Sequence, residues 1–180
     1  MDAAKESDHH VKTNRTDVQR KSERELVITR IFNGPARLVF EAWTKPELLK
    51  RWWAPKSMGV RLLSCEADVR VGGQYRFAFG HGPSETMAFF GRYLEVTPYS
   101  RLVWTNDESD DGAVTTVTFE DRGDKTLLVL HELYPSKEAL DRSIAGMEGG
   151  MPEQFAQLDE LLVTLARACD VHEAVSQLRK

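Results

Sequence analysis

Between Val60 and Leu133 the sequence passes through six short segments of alternating apolar and polar residues, each closed by a turn signal. They are VRLLSCEADVR, QYRFAFGH, TMAFFGRYLEV, RLVWTN, VTTVTFE and TLLVLHEL. Gly72-Gly73, Gly82-Pro83, Thr97 to Ser100, the acidic run Asp107 to Gly112 and Asp121 to Asp124 separate them. Period-two patterning predicts strands, and links this short allow only antiparallel neighbours, because a parallel pair needs a crossover of about a dozen residues or more. An antiparallel meander with one apolar face must be covered, and the sequence supplies the cover. Met151, Phe155, Leu158, Leu162 and Leu165 recur at helical spacing and predict one buried stripe on a helix from about Pro152 to Ala168. Ser136 can cap a helix start with Glu138 in its first turn, while Gly146, Gly149 and Gly150 are expected to interrupt or kink it, each at up to about 1 kcal/mol relative to alanine.

Upstream, ELVITRIF predicts a first strand beginning at Glu25, ended by Asn33-Gly34-Pro35. Leu38, Val39, Ala42 and Trp43 then fall at helical spacing, and Thr44, Pro46 and Glu47 mark the start of a second short helix running to Trp52-Trp53. Residues 1–24 are polar and of mixed charge, too poor in apolar side chains to offset their ordering entropy, and are expected to form a disordered arm. One domain is expected over 25–168, with a tail at 169–180 that either extends the helix or frays.

Several function classes are disfavoured. A net charge of −4 argues against a nucleic-acid partner, and no run approaches the roughly 20 apolar residues that span a bilayer. The first residues lack the apolar centre of a secretory signal, so a cytoplasmic location is the expectation, with Cys65 and Cys169 reduced rather than bridged. No metal site is expected, either at the cysteines or at His9-His10 in the arm. The chain has no nucleophile-elbow serine, no phosphate-cradling glycine loop and no His–Glu metal motif, so no catalytic residue and no cofactor are assigned.

The order strand, two short helices, six strands, long helix is that of a helix-grip fold. Particular stretches carry a closer likeness: FEAWTKPELLKRWWAP (Phe40 to Pro55), EADVRVGGQYRF (Glu66 to Phe77), GRYLEVTPYSRLVWT (Gly91 to Thr105), TLLVLHE (Thr126 to Glu132) and GMEGGMPEQFAQLDELL (Gly146 to Leu162). In these the chain resembles the family of the C-terminal domain of the activator of the heat-shock-protein-90 ATPase, within the START and birch-pollen-allergen-like superfamily. The resemblance covers roughly Glu25 to Leu165. It implies an α+β, START-like fold in which a curved antiparallel sheet wraps a long C-terminal helix. It also implies an apolar cavity, a stress-related role and a chaperone partner. The chain departs from the pattern at Met151, where the family often has tryptophan, and in having only a polar arm where the cochaperone carries a further N-terminal domain.

Candidate site residues follow from the strand faces. Tyr75, Phe77, Phe79, Met87, Phe89 and Trp104 supply aromatic and thioether surface that either lines a ligand cavity or fills a core. Trp43, Met151 and Phe155 are further candidates, and Trp52 and Trp53 either wall the cavity or lock the helix pair, with separate roles favoured because neighbours on a helix point about 100° apart. Glu41, Asp68, Arg70 and Arg76 are polar candidates, although Asp68 and Arg70 suit an exposed ion pair equally well. His131 is expected to share a face with Leu127, Val129 and Leu133, with Glu132 pointing the other way; if that face lines the cavity, His131 becomes its orienting polar group or a base. His81 and the acidic run at Asp107 to Asp111 are expected to face water. Three functions compete: a non-enzymatic module enclosing an apolar small molecule, a chaperone-binding regulator, and a cyclase- or hydrolase-like enzyme using His131 or Glu41.

Overall fold

A computed structural model describes residues 15–82 and 84–177. The elements are β1 (Asp17–Arg20), β2 (Glu25–Phe32), α1 (Ala36–Thr44), α2 (Pro46–Leu49) and a 3-10 turn (Lys56–Met58). They continue with β3 (Arg61–Ala67), β4 (Gln74–Gly82), β5 (Glu85–Thr97), β6 (Arg101–Thr105), β7 (Val114–Asp121), β8 (Thr126–Leu133) and α3 (Lys137–Gln177). The strands form one curved sheet in the order β1-β2-β8-β7-β6-β5-β4-β3, antiparallel at every pairing. Chain order from β3 to β8 is therefore spatial order, as short turns require. The segment containing α1 and α2 is the one long link, carrying the chain from β2 to the far edge strand β3. This is the α+β helix-grip architecture.

Two expectations are corrected. Ordered structure starts before Glu25, because Asp17 to Arg20 pair with Leu26 to Thr29 as an edge strand. DVQR has one apolar side chain, Val18, packed on the core, so backbone pairing and the Arg20–Asp141 ion pair at 2.6 Å hold it rather than a hydrophobic pattern. His9-His10 lie outside the described residues. The second correction is α3, a single helix of 41 residues that passes through all three glycines and Pro152. Its start is as expected: the Ala139 N–H donates to Ser136 Oγ at 3.1 Å.

The core lies where the middle of α3 meets β2 and α1. Phe155, Leu158 and Leu162 are at most 1% exposed, and Phe155 packs edge-on against Phe32 with centroids 5.3 Å apart. One polar clamp crosses this core. Arg30 on β2, 4% exposed, donates to Asp159 Oδ2 of α3 at 2.5 Å and to Thr16 Oγ1 at 2.8 Å. Burial pushes the Asp159 carboxyl above its usual pKa despite the guanidinium beside it. Arg30→Met is expected to cost about 1–3 kcal/mol in urea unfolding, below the figure for a fully buried pair because the Asp159 side chain is 21% accessible to water. Adding Asp159→Leu should recover part of that loss; a double variant no better than the single one would show that the charge left behind is not the cost.

At the β3–β4 turn the paired glycines serve different needs. Gly72 has φ +80°, and a Cβ on Gly73 would lie 1.9 Å from the Asp68 carbonyl oxygen. Both cysteines are free, and burial pushes the Cys65 thiol up to about 11. Among the described residues no helix is long and apolar enough to cross a membrane, and no group of three His, Cys, Asp or Glu side chains could hold a metal.

Candidate functional site

A cavity of about 970 Å³ lies between the concave face of the sheet and the first half of α3. It exists because the two halves of that helix carry different side chains. Past Met151 the buried stripe is Phe155, Leu158 and Leu162, which fills the space to the sheet. Before it, Ser143, Gly146, Met147 and Gly150 face the same sheet, and a Cβ on Gly146 would meet nothing within 4 Å. All three glycines stay helical, and Gly146 and Gly150 leave volume on the cavity side.

The aromatic walls come from period-two positions on neighbouring strands. Tyr75, Phe77 and Phe79 of β4 stand opposite Gly91, Phe89 and Met87 of β5, and Tyr93 of β5 stands opposite Trp104 of β6. All of these side chains line the cavity, with Met87 61% exposed at its lip. Trp43 of α1 and Trp53 close the opposite side, Trp53 packing edge-on against Phe77 at 5.6 Å. Trp52 does not line the cavity: it is 1% exposed and donates its indole N–H to the Ala42 carbonyl at 3.0 Å, so the adjacent tryptophans divide into a lock and a wall. Polar side chains of α3 hold this wall in place. Gln157 donates to the carbonyls of Trp52 and Ala54 at 2.9 Å each and accepts from the Lys56 N–H at 2.9 Å. Gln154 donates to the Trp53 carbonyl, and Glu153 accepts from the Ser57 N–H at 2.9 Å.

Several candidates lie elsewhere. Phe155 belongs to the packed core. Glu41 is on the outer side of α1, bridged by Arg37 at 2.7 Å and Lys45 at 2.9 Å; partial burial raises its pKa, but those two bonds outweigh it and leave the pKa below the usual value. Asp68 and Arg70 form the exposed pair, at 2.8 Å. Arg76 alternates with the cavity-facing Tyr75 and Phe77, and its guanidinium lies over Phe90, 5.9 Å from the ring centre, on the outer face of the sheet. His131 is also outside, 3.1 Å from Glu25.

The cavity-facing residue at that end of β8 is Glu132, and sequence reasoning missed it. It is 7% exposed, accepts from the Thr115 hydroxyl directly across the β7–β8 pair at 2.9 Å, and lines the cavity. Thr115 in turn accepts from Asn106 Nδ2 at 2.9 Å, and Asn106 Oδ1 lies 3.0 Å from the Tyr75 hydroxyl. Burial raises the Glu132 pKa to about 7, with the Thr115 hydrogen bond opposing and the charge of Glu108 adding to the rise. Glu108 sits in the β6–β7 loop that was expected to be only solvated; burial lifts its pKa too. That loop borders the cavity and is tied to α3 by Arg142–Asp111 at 2.6 Å. Glu132 alternates with the buried Leu128 and Leu130, but the other face of β8 (Leu127, Val129, Leu133) is equally apolar in sequence, so the alternation gave no signal.

The model of the family described as Activator of Hsp90 ATPase homolog 1-like protein matches residues 33–163. Solved structures with the same fold include a Rhodobacter sphaeroides protein (24% identity, 84% of this chain and 99% of that one, TM-score 0.77). Another is from Nitrosomonas europaea (24% identity, 81% and 98%, TM-score 0.72). A third is the AHSA1-like protein of Aeromonas hydrophila (20% identity, 74% and 92%, TM-score 0.61). At these identities the likeness is one of fold. No curated protein matches the sequence.

Proposed function

The chain belongs to the Activator of Hsp90 ATPase homolog 1-like family, and from that premise we propose that it is a binding module that encloses a small, largely apolar molecule between sheet and helix. The cavity carries this reading. Its volume of about 970 Å³ stands at the upper end of the roughly 300–1,000 Å³ typical of small-molecule sites. Its walls are mainly apolar and rich in aromatic and thioether side chains, with convergent polar groups at the Glu132 end. Met58 and Met87, each 61% exposed, make an apolar lip through which such a molecule could enter.

Native mass spectrometry of gently purified protein, followed by denaturing extraction, is expected to show an apolar small molecule at one per chain. Gly150→Leu provides the control. The nearest atoms to its Cβ position are 3.9 Å away, so the variant should fold at least as stably, by up to about 1 kcal/mol, while its side chain takes up part of the cavity and weakens ligand retention. Ligand retained with undiminished affinity in Gly150→Leu would place binding away from the α3 side of the cavity.

A second reading, a regulator that docks on a chaperone, draws on the family description and on Phe90 and Leu94, exposed 37% and 46% on β5. It requires that the purified protein change the ATP turnover of an Hsp90; unchanged turnover at saturating concentrations removes it.

A further inference from the structure

Glu132 is a buried carboxyl with no cation to balance it. The side chains that act on it are Thr115 from β7, through a hydrogen bond, and Glu108 from the β6–β7 loop, through like charge. The nearby hydroxyls of Tyr75 on β4 and Tyr134 after β8 feel its charge in turn. From α3 the cavity receives Arg142, but that guanidinium is held by Asp111 and both side chains are more than half exposed at the mouth. His81 is the other basic side chain on the lining, and it is exposed beside the β4–β5 turn. Among the described residues, Glu132 Oε1 takes the Thr115 hydroxyl and no protein group hydrogen-bonds the second oxygen. The carboxyl therefore ends the cavity as an unfilled acceptor.

Its surroundings suit one charge type. Trp43, Trp53, Trp104, Tyr75, Tyr93 and Phe77 line the cavity, and aromatic faces attract cations through their negative quadrupole. The other ionisable groups on the lining are mainly acidic: Glu85, Glu108 and Asp111 against Arg142 and His81. A fatty acid or other anion would bring its charge toward this carboxylate and lose its hydration with nothing to replace it. A basic nitrogen would provide the absent counter-ion and fill the free acceptor.

We propose that the ligand is a lipophilic amine, an apolar body carrying one basic nitrogen, bound as its ammonium with Glu132 as counter-ion and the indole and phenol rings as walls. This rests on the cavity-binding reading above and narrows it to a chemical class. Binding is then coupled to pH. The free protein holds a proton on Glu132 up to about pH 7, and an ammonium binds only the ionised form. A simple alkylamine keeps its proton throughout this range, with a pKa near that of lysine, about 10.4. Affinity for the amine must therefore fall as pH drops below about 7, by about tenfold per unit. Glu108, with its own raised pKa, acts in the same direction, since protonating it also lowers the negative charge near the site.

The experiment compares decylamine, 1-decanol and decanoate below their aggregation limits, read by quenching of the four tryptophans and by calorimetry. At about pH 8 the amine is expected to bind at least about tenfold more tightly than the alcohol, with decanoate weakest, the margin given by one charge-assisted hydrogen bond. The margin should shrink by about pH 6 and disappear in Glu132→Gln, which keeps the shape and the Thr115 contact. Alcohol binding should persist in that variant, because the glutamine amide still accepts from a hydroxyl, and its persistence reports that the cavity remains folded. Alcohol binding as tight as amine binding in the wild type overturns the amine assignment and leaves the cavity reading standing. A preference for decanoate overturns it in the same way. Failure of all three to bind removes the cavity reading and this inference with it.

Discussion

Phe155→Ala is expected to lower the stability of the fold by about 3–5 kcal/mol, the cost of deleting a fully buried aromatic ring and leaving the space empty. The ring is 0% exposed and touches Phe32 of β2, Trp43 of α1 and Trp52 beyond α2, at centroid distances of 5.3, 6.2 and 6.5 Å. Three separately folded segments therefore lose their common contact at once, with little freedom to close over the hole. Met151→Ala, one turn earlier on α3, offers the contrast. Met151 already borders the cavity, so its truncation enlarges an existing space and should cost well under half as much. Urea unfolding with unchanged m-values measures both. Equal losses at the two positions would mean that the helix is packed as tightly over the cavity as over the core.

Glu132→Gln should have an effect of similar size and opposite sign, growing from about pH 4.5 and complete just above neutral pH. The native carboxyl has a pKa of about 7 against an ordinary value of 4.5, raised chiefly by burial. Between these values the folded chain keeps a proton that the unfolded chain has released, so stability from this group is greatest below about pH 4.5. It declines as pH rises to about 7 and is constant beyond, a total of roughly 3 kcal/mol for the shift. Glutamine cannot charge and can still accept from Thr115, so the variant should gain up to about that amount at pH 8 and almost nothing at pH 4.5. Thermal unfolding at several pH values measures it, and a variant no more stable at pH 8 would mean the native carboxylate is adequately solvated. A stabilising substitution that removes amine binding is the pattern expected of a residue kept for its site at the expense of the fold.

The order of β2 to β8 and the buried stripe of α3 could be read in the sequence because those signals are local, although α3 runs well beyond the expected 152–168 at both ends. Alternation in β4, turn residues such as Gly72-Gly73 and the stripe from Met151 to Leu162 need no knowledge of distant chain. The strand β1 could not be read in this way, since a backbone edge pairs with any sequence and Val18 alone carries no period. The site was legible in its apolar half and illegible in its polar half. Tyr75, Phe77 and Phe79 betray their common face by alternating with Gln74 and Arg76. β8 offers no such contrast: Leu127, Val129 and Leu133 are as apolar as Leu128 and Leu130, so hydrophobicity cannot say whether His131 or Glu132 faces inward. The register Thr115↔Glu132 answers that, and register is set across strands.

The sequence by itself determined the antiparallel meander, the covering helix and the aromatic supply, because period, turn chemistry and amphipathicity are properties of neighbouring residues. Only the tertiary structure decided that Gly146 and Gly150 leave a void, that Gln154 and Gln157 hold the Trp53 wall, and that the cavity ends on an unbalanced carboxyl. Volume and burial arise between segments about a hundred residues apart, and a charge becomes costly, or useful, only once such segments have excluded the water around it.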